Sequence, residues 1–231
     1  GVLLDDAPAA AGKATLQLSN PLGYPVRYTL DGSEPTARSP LYAGPIEAGL
    51  PLQLRTAAFA GDNALQPAQR FEVTAASLRS RGNAQLQPCI AQGPVLRMQD
   101  DTVQADGRRA LFNVAFMQPC WRWEHAPMAG AESIEVRAGR LPYIIDQSEE
   151  ENARRRFLPA RSAHGELDIR AGSCDGERIA TAPLPARPDA DGFITLHAPL
   201  LRRSDKTEAM CIRFSGDFRP DMWVLDRVTL R

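Results

Sequence analysis

Trp121 and Trp123 flank Arg122 directly after Cys120, a set of residue types suited to holding a sugar. Flat indole faces stack on the C–H surfaces of pyranose rings, and a nearby guanidinium bonds hydroxyls. On a strand both indoles share one face. The same spacing also describes two large aromatics packed into a core beside a cysteine. That packing reading comes first, because large aromatics usually reside inside. Trp223, alternating with apolar neighbours, reads as core.

Carboxylate pairs are the other candidates, because a glycosidase needs two. Asp5-Asp6, Asp100-Asp101 and Glu149–Glu151 are adjacent. Neighbours on a strand point to opposite faces, so an adjacent pair is a poor acid/base couple. Asp100-Asp101 follows an apolar run and is read as a loop. There it forms a solvated turn or, alternatively, helps hold a structural calcium. His125, His164 and His197 are scattered without H-E-x-x-H spacing. No G-x-S-x-G, G-x-G-x-x-G or P-loop occurs, which removes the hydrolase elbow and the Gly-rich nucleotide cradle. No catalytic residue is assigned, no cofactor, and no metal beyond the calcium alternative.

The four cysteines are Cys89, Cys120, Cys174 and Cys211. Without C-x-x-C, zinc-ribbon and thioredoxin readings fail. An even count at wide spacing suits two disulfides and an exported protein; the alternative is four free buried thiols. The formal charge of −1, from 27 basic and 28 acidic side chains, argues against a nucleic-acid or membrane-surface partner. No run of about 18 apolar residues spans a membrane. The chain opens on Gly1-Val2 without an initiator Met, as expected of a piece of a larger polypeptide, so a missing signal peptide says nothing about destination.

These residues must be positioned by strands. Ala14–Leu18, Val26–Leu30, Leu52–Thr56 and Phe71–Val73 alternate apolar and polar with period 2. Asn20-Pro21, Asp31-Gly32, Ser39-Pro40 and Gly61-Asp62 punctuate them. This predicts a small β-sandwich over residues 1–76. Residues 77–85 carry little periodicity and read as a linker. Residues 86–231 predict a larger jelly roll, with strands at Val95–Met98, Ala110–Phe116, Ser133–Ala138, Glu166–Arg170, Arg178–Ala182, Phe193–His197, Met210–Phe214 and Trp223–Leu230. Gly165–Leu184 reads as a hairpin. Gln147–Phe157 reads as an exposed helical turn or loop, with glutamates three to five residues before arginines, in preference to an anion-binding arginine cluster.

Tyr28-Thr29-Leu30-Asp31-Gly32-Ser33-Glu34-Pro35-Thr36, then Ser39-Pro40-Leu41-Tyr42, Gly44-Pro45-Ile46 and Leu54–Phe59, resembles the small C-terminal domain of chitobiases and β-hexosaminidases. The resemblance covers about residues 13–73. The second segment resembles the region that follows this module in certain bacterial family-20 β-N-acetylhexosaminidases. Leu96–Asp101, Gly107–Phe112, Gln118–Trp121, Leu141-Pro142-Tyr143, Gly165–Arg170, Cys174-Asp175-Gly176, Ala182–Pro185, Cys211–Phe214 and Met222-Trp223 carry it. Ile144-Ile145-Asp146 departs from the aromatic-rich continuation of that family.

The resemblance implies an immunoglobulin- or fibronectin-III-like sandwich followed by a galactose-binding-like jelly roll. It implies a periplasmic or extracellular parent that removes terminal N-acetylhexosamines through an Asp-Glu pair on a (β/α)8 barrel. Neither that barrel nor its motifs occur in these residues, so the expected partner is the catalytic barrel of the same polypeptide. The chain is then an accessory region. The alternative is a carbohydrate-binding module contacting glycan through Trp121, Arg122, Trp123 or Tyr143. Cys89–Cys120 and Cys174–Cys211, each joining neighbouring β segments, are the preferred pairings of the three that four cysteines permit.

Overall fold

A computed structural model describes residues 1–10, 12–89, 95–103, 107, 109–115, 119–142, 148–154 and 157–231. The chain is all-β and divides into two compact units, Gly1–Arg79 and Ser80–Arg231.

The described residues of the first unit form the strands β1 (Leu3–Pro8), β2 (Lys13–Ser19), β3 (Val26–Thr29), β4 (Ile46–Gly49), β5 (Leu52–Ala60), β6 (Asn63–Ala64) and β7 (Gln69–Val73). One antiparallel sheet runs β1-β2-β4, and the other runs β3-β5-β6 with β7 also on β5. Alternation sets the buried face. Ala14, Leu16 and Leu18 point inward from β2, and Leu52 and Leu54 from β5, meeting Val26, Val73 and Leu78. β1 separates the paired acids Asp5 and Asp6 as strand geometry demands, one exposed and one buried.

The stretch after β3 is a joint. Ser33 donates to Asp31 Oδ1 through its amide (3.0 Å) and its hydroxyl (2.6 Å), and Gly32 adopts φ +81°. Only glycine takes that backbone conformation cheaply. The chain then folds back along β3. Tyr28 N donates to Pro40 O, Tyr42 N donates to Val26 O, and the Arg27 guanidinium donates to Ser39 O at 2.6 Å.

The second unit contains β8 (Ser80–Gly82), β9 (Gln87–Pro88), β10 (Val95–Val103), β11 (Arg109–Ala115), β12 (Cys120–Pro127), β13 (Ser133–Pro142), α1 (Glu149–Arg154), β14 (Glu166–Ala171), β15 (Arg178–Pro183), β16 (Phe193–Pro199), β17 (Thr207–Phe214) and β18 (Asp221–Leu230). A five-stranded sheet, β15-β14-β17-β12-β9, and a four-stranded sheet, β16-β13-β18-β8, enclose one core. From β12 onward the chain passes repeatedly between the sheets, in the manner of a jelly roll. β10 and β11 form a separate ribbon, bulged between Gln99 and Val103.

Two expectations are corrected. Residues 80–85 do not act as a free linker. β8 pairs with β18, and the buried Asn83 side chain donates to Leu225 O (2.8 Å) while accepting from Asn113 N (2.7 Å). The segment looked featureless because its stabilising bonds run to residues distant in sequence. Asp100 and Asp101 lie in strand β10 and not in a loop; their side chains are outside the described residues. The helical turn expected within Gln147–Phe157 is present as the short helix α1, and the arginines at 155 and 156 lie outside the described residues. Among the described residues no helix is long and apolar enough to cross a membrane.

Candidate functional site

The five-stranded sheet has an apolar inner face and a charged outer one, set by alternation. On β14, Leu167 and Ile169 enter the core; on β17, Met210 and Ile212; on β12, Trp121 and Trp123. The intervening residues share the opposite face. Register places Arg213 opposite both Cys120 and Asp168, and Cys211 opposite both Arg122 and Arg170.

Asp168 is the centre of this outer face and is 3% exposed. Its Oδ1 accepts from Arg178 Nε at 2.5 Å, and its Oδ2 from Arg213 Nε at 2.9 Å and Arg170 Nε at 3.0 Å. Burial pushes its carboxyl up. The hydrogen bonds from Arg178, Arg170 and Arg213 outweigh that, holding it below the ordinary carboxylate range. Two residues earlier, Glu166 accepts from Ser215 Oγ (2.9 Å), from the Arg161 amide (2.9 Å) and from Arg161 Nε (3.3 Å). Burial again pushes up, and bonds from Ser215, Arg161 and Ser162 win. Both groups are therefore ionised and fully engaged. A carboxylate so held is a poor proton donor and serves to tie strands together.

Trp121 and Trp123 are 2% and 3% exposed. Trp121 donates its indole N–H to Asn113 O at 3.0 Å and meets Phe214 edge-on. The Arg81 guanidinium lies 5.2 Å from the Trp123 ring centroid. Neither indole presents a stacking face to a sugar, which corrects the glycan-contact alternative at these two positions. The alternation that made them share a face put that face inside. Arg122 is half-buried on the outer face and pairs with Glu124 at 2.8 Å. Tyr143 lies outside the described residues. The sulfurs are bonded Cys89–Cys120 and Cys174–Cys211.

A cleft of about 210 Å³ opens in the second unit among the loops before β14 and β18. Glycines shape it. Gly165 adopts φ +77°, and a Cβ there would stand 2.0 Å from Ser215 O. His164, Asp217, Phe218, Arg219, Arg140 and Trp223 contribute to its walls. Phe218 meets the buried Trp223 edge-on at 6.4 Å, and Arg140 lies 5.5 Å from the same indole centroid. Arg219 is bound to Asp217 through Nε (2.9 Å) and Nη2 (2.6 Å) and covers Phe157 at 4.8 Å. The cleft is smaller than the roughly 300–1,000 Å³ of ordinary ligand pockets, a size for a single ring or small polar group.

The sequence reading missed both the Asp168 cluster and the cleft. For the first a signal existed. Glu166, Asp168 and Arg170 alternate with Leu167 and Ile169, and Cys211 and Arg213 with Ile212, so both strands announce two ordered faces. For the second, whose residues come from well-separated stretches, none did.

Residues 7–68 match the family model described as the chitobiase/beta-hexosaminidase C-terminal domain, a span running from β1 to just before β7. No curated protein matches the chain. Similar solved structures include a beta-1,3-glucan-binding family 6 carbohydrate-binding module from Bacillus halodurans, at 15% identity and TM-score 0.41, covering 66% of this chain and 94% of that one. A family 6 module from Clostridium stercorarium in complex with cellobiose is 14% identical at TM-score 0.40, covering 65% and 91%. A family 43 arabinoxylan arabinofuranohydrolase from Bacillus subtilis, in complex with cellotetraose, is 11% identical at TM-score 0.37, covering 98% of this chain and 54% of that one.

Proposed function

We propose that this chain is a non-catalytic C-terminal accessory region of a secreted or periplasmic β-N-acetylhexosaminidase, a glycosidase of terminal N-acetylhexosamines. In this reading it packs on a catalytic (β/α)8 barrel of the same polypeptide and stabilises it. The match of residues 7–68 to the chitobiase/beta-hexosaminidase C-terminal domain carries the reading. Two further features support it. The buried carboxylates Glu166 and Asp168 are bound by arginine and serine in structural roles, and the two disulfides suit an oxidising compartment.

Deleting this region from the parent enzyme tests the proposal. The barrel is expected to lose stability or solubility while activity per folded molecule stays unchanged. A deletion that leaves stability intact and abolishes turnover of correctly folded protein overturns it.

A second reading is favoured by the cleft at Arg140, Asp217, Phe218 and Arg219. Its mix of guanidinium, carboxylate and aromatic edges suits the hydroxyls and C–H surface of one sugar residue. Calorimetric titration with N-acetylglucosamine and chitooligosaccharides checks it. Saturable heat that disappears in Arg219→Ala supports glycan binding, and a flat trace at millimolar sugar rejects it.

A further inference from the structure

Two disulfides that only staple strands have no reason to touch, yet these two do. Cys89 follows β9, Cys120 opens β12, Cys174 sits in the β14–β15 turn, and Cys211 lies within β17. Four separate elements thus deliver four sulfurs that all lie within 4.8 Å of one another. Across the two bonds, Cys89 Sγ is 3.7 Å from Cys211 Sγ, and Cys120 Sγ is 4.0 Å from Cys174 Sγ. A tetrahedral zinc–thiolate centre has Zn–S bonds of about 2.3 Å, which makes its S···S edges about 3.8 Å. Two of the four non-bonded pairs stand near that spacing, and the other two lie within 4.8 Å.

The surrounding charge independently suits a metal thiolate. A divalent ion with four thiolates carries two negative charges. Arg213 is the cross-strand neighbour of Cys120, and Arg122 and Arg170 are the cross-strand neighbours of Cys211. Arg170 and Arg213 join Arg178 in bonding Asp168, while Arg122 pairs with Glu124. Three arginines thus stand on the rungs beside Cys120 and Cys211, and positive charge there suits an anionic metal thiolate. Cys120 and Cys211 are buried while Cys89 and Cys174 are half-exposed, so the cluster has a protected floor and an open side for entry.

We propose that these four cysteines are a tetrathiolate site that takes one soft divalent metal ion, with Zn²⁺ as its type, whenever both disulfides are reduced. A dithiol reductant gives two electrons and two protons to each S–S bond. That bond breaks into two thiols, and the reductant leaves as its own disulfide. The four thiols release four protons on binding the ion, and each sulfur forms one metal–sulfur bond. The two members of each former disulfide separate to the tetrahedral edge length. Soft sulfur ligands in tetrahedral array select zinc over calcium or magnesium. The absence of C-x-x-C hid the site, because sheet register and not local spacing assembles it.

Cobalt is the probe. The full 231-residue chain, reduced under anaerobic conditions with a phosphine, is titrated with Co²⁺ and then Zn²⁺. The expected result is one Co²⁺ per chain with the intense visible bands of tetrahedral thiolate coordination, stoichiometric displacement by Zn²⁺, and retained strand signal in circular dichroism. The oxidised chain gives no such bands. Cys89→Ser and Cys174→Ser, at half-exposed positions that tolerate a hydroxyl, each weaken binding at least about tenfold, the minimum cost of disturbing even an outer-shell partner. A reduced, folded chain that binds no cobalt overturns the proposal. So does a reduced chain that stays unfolded in its presence, or binding that survives oxidation or both serine substitutions.

Discussion

The first unit is held by apolar alternation and turn chemistry, whereas the second encloses a charged carboxylate under three arginines and carries both disulfides. In the first, the buried side chains of the β2 and β5 faces are apolar apart from Thr56, and the ion pairs Lys13–Glu47 and Arg70–Glu72 are solvent-exposed. Such exposed pairs contribute little. In the second, Glu166, Asp168, Arg213 and Ser215 are buried together on the outer face of a sheet whose inner face is apolar. Two β-sandwich units in one chain thus fail differently. The first is broken by a cavity, the second by an unpaired charge.

The largest expected effect is Asp168→Ala, which leaves three guanidiniums without their shared acceptor. Breaking a buried ion cluster costs about 3–5 kcal/mol, and partial exposure of Arg170 and Arg178 sets the loss near the low end. Denaturant melting should show it in the second unit's transition alone. Acid sharpens the same contrast. The folded carboxyls of Asp168 and Glu166 lie below their ordinary values, so their stabilisation is complete above the unfolded pKa near 4 and is lost as pH falls through the folded values. The second unit should therefore lose more stability than the first between about pH 5 and pH 2.

Leu54→Ala reverses the pattern. Leu54 is fully buried in the first unit, and the substitution is expected to cost about 3 kcal/mol there through lost transfer energy and a residual cavity. Asn83→Ala should cost the second unit about 1–3 kcal/mol, because Leu225 O and the Asn113 amide lose their partner. Gly32→Ala is the smallest. The φ of +81° and a Cβ 2.6 Å from the movable Gln53 side chain together predict about 1 kcal/mol, read in the first unit's midpoint.

Legibility in the sequence followed the same division. Leu52, Leu54, Val26 and the Asp31-Gly32 turn were readable because period-2 alternation and turn chemistry are local. The strand at Leu3–Pro8 was not, since Asp5-Asp6 interrupts its apolar pattern. Trp121 and Trp123 could be given a common face, but which face met water depended on the opposite sheet. Asn83 escaped notice because its partners lie 30 and 142 residues away. The cluster at Asp168 escaped for a related reason: Arg178 and Arg213 reach it only through sheet register.

Hydrolysis of a chromogenic N-acetylglucosaminide by the purified 231-residue chain tests the central claim most directly. An accessory region predicts turnover indistinguishable from buffer at every pH. Sustained turnover that co-elutes with the folded chain and disappears on Glu166→Gln would contradict it.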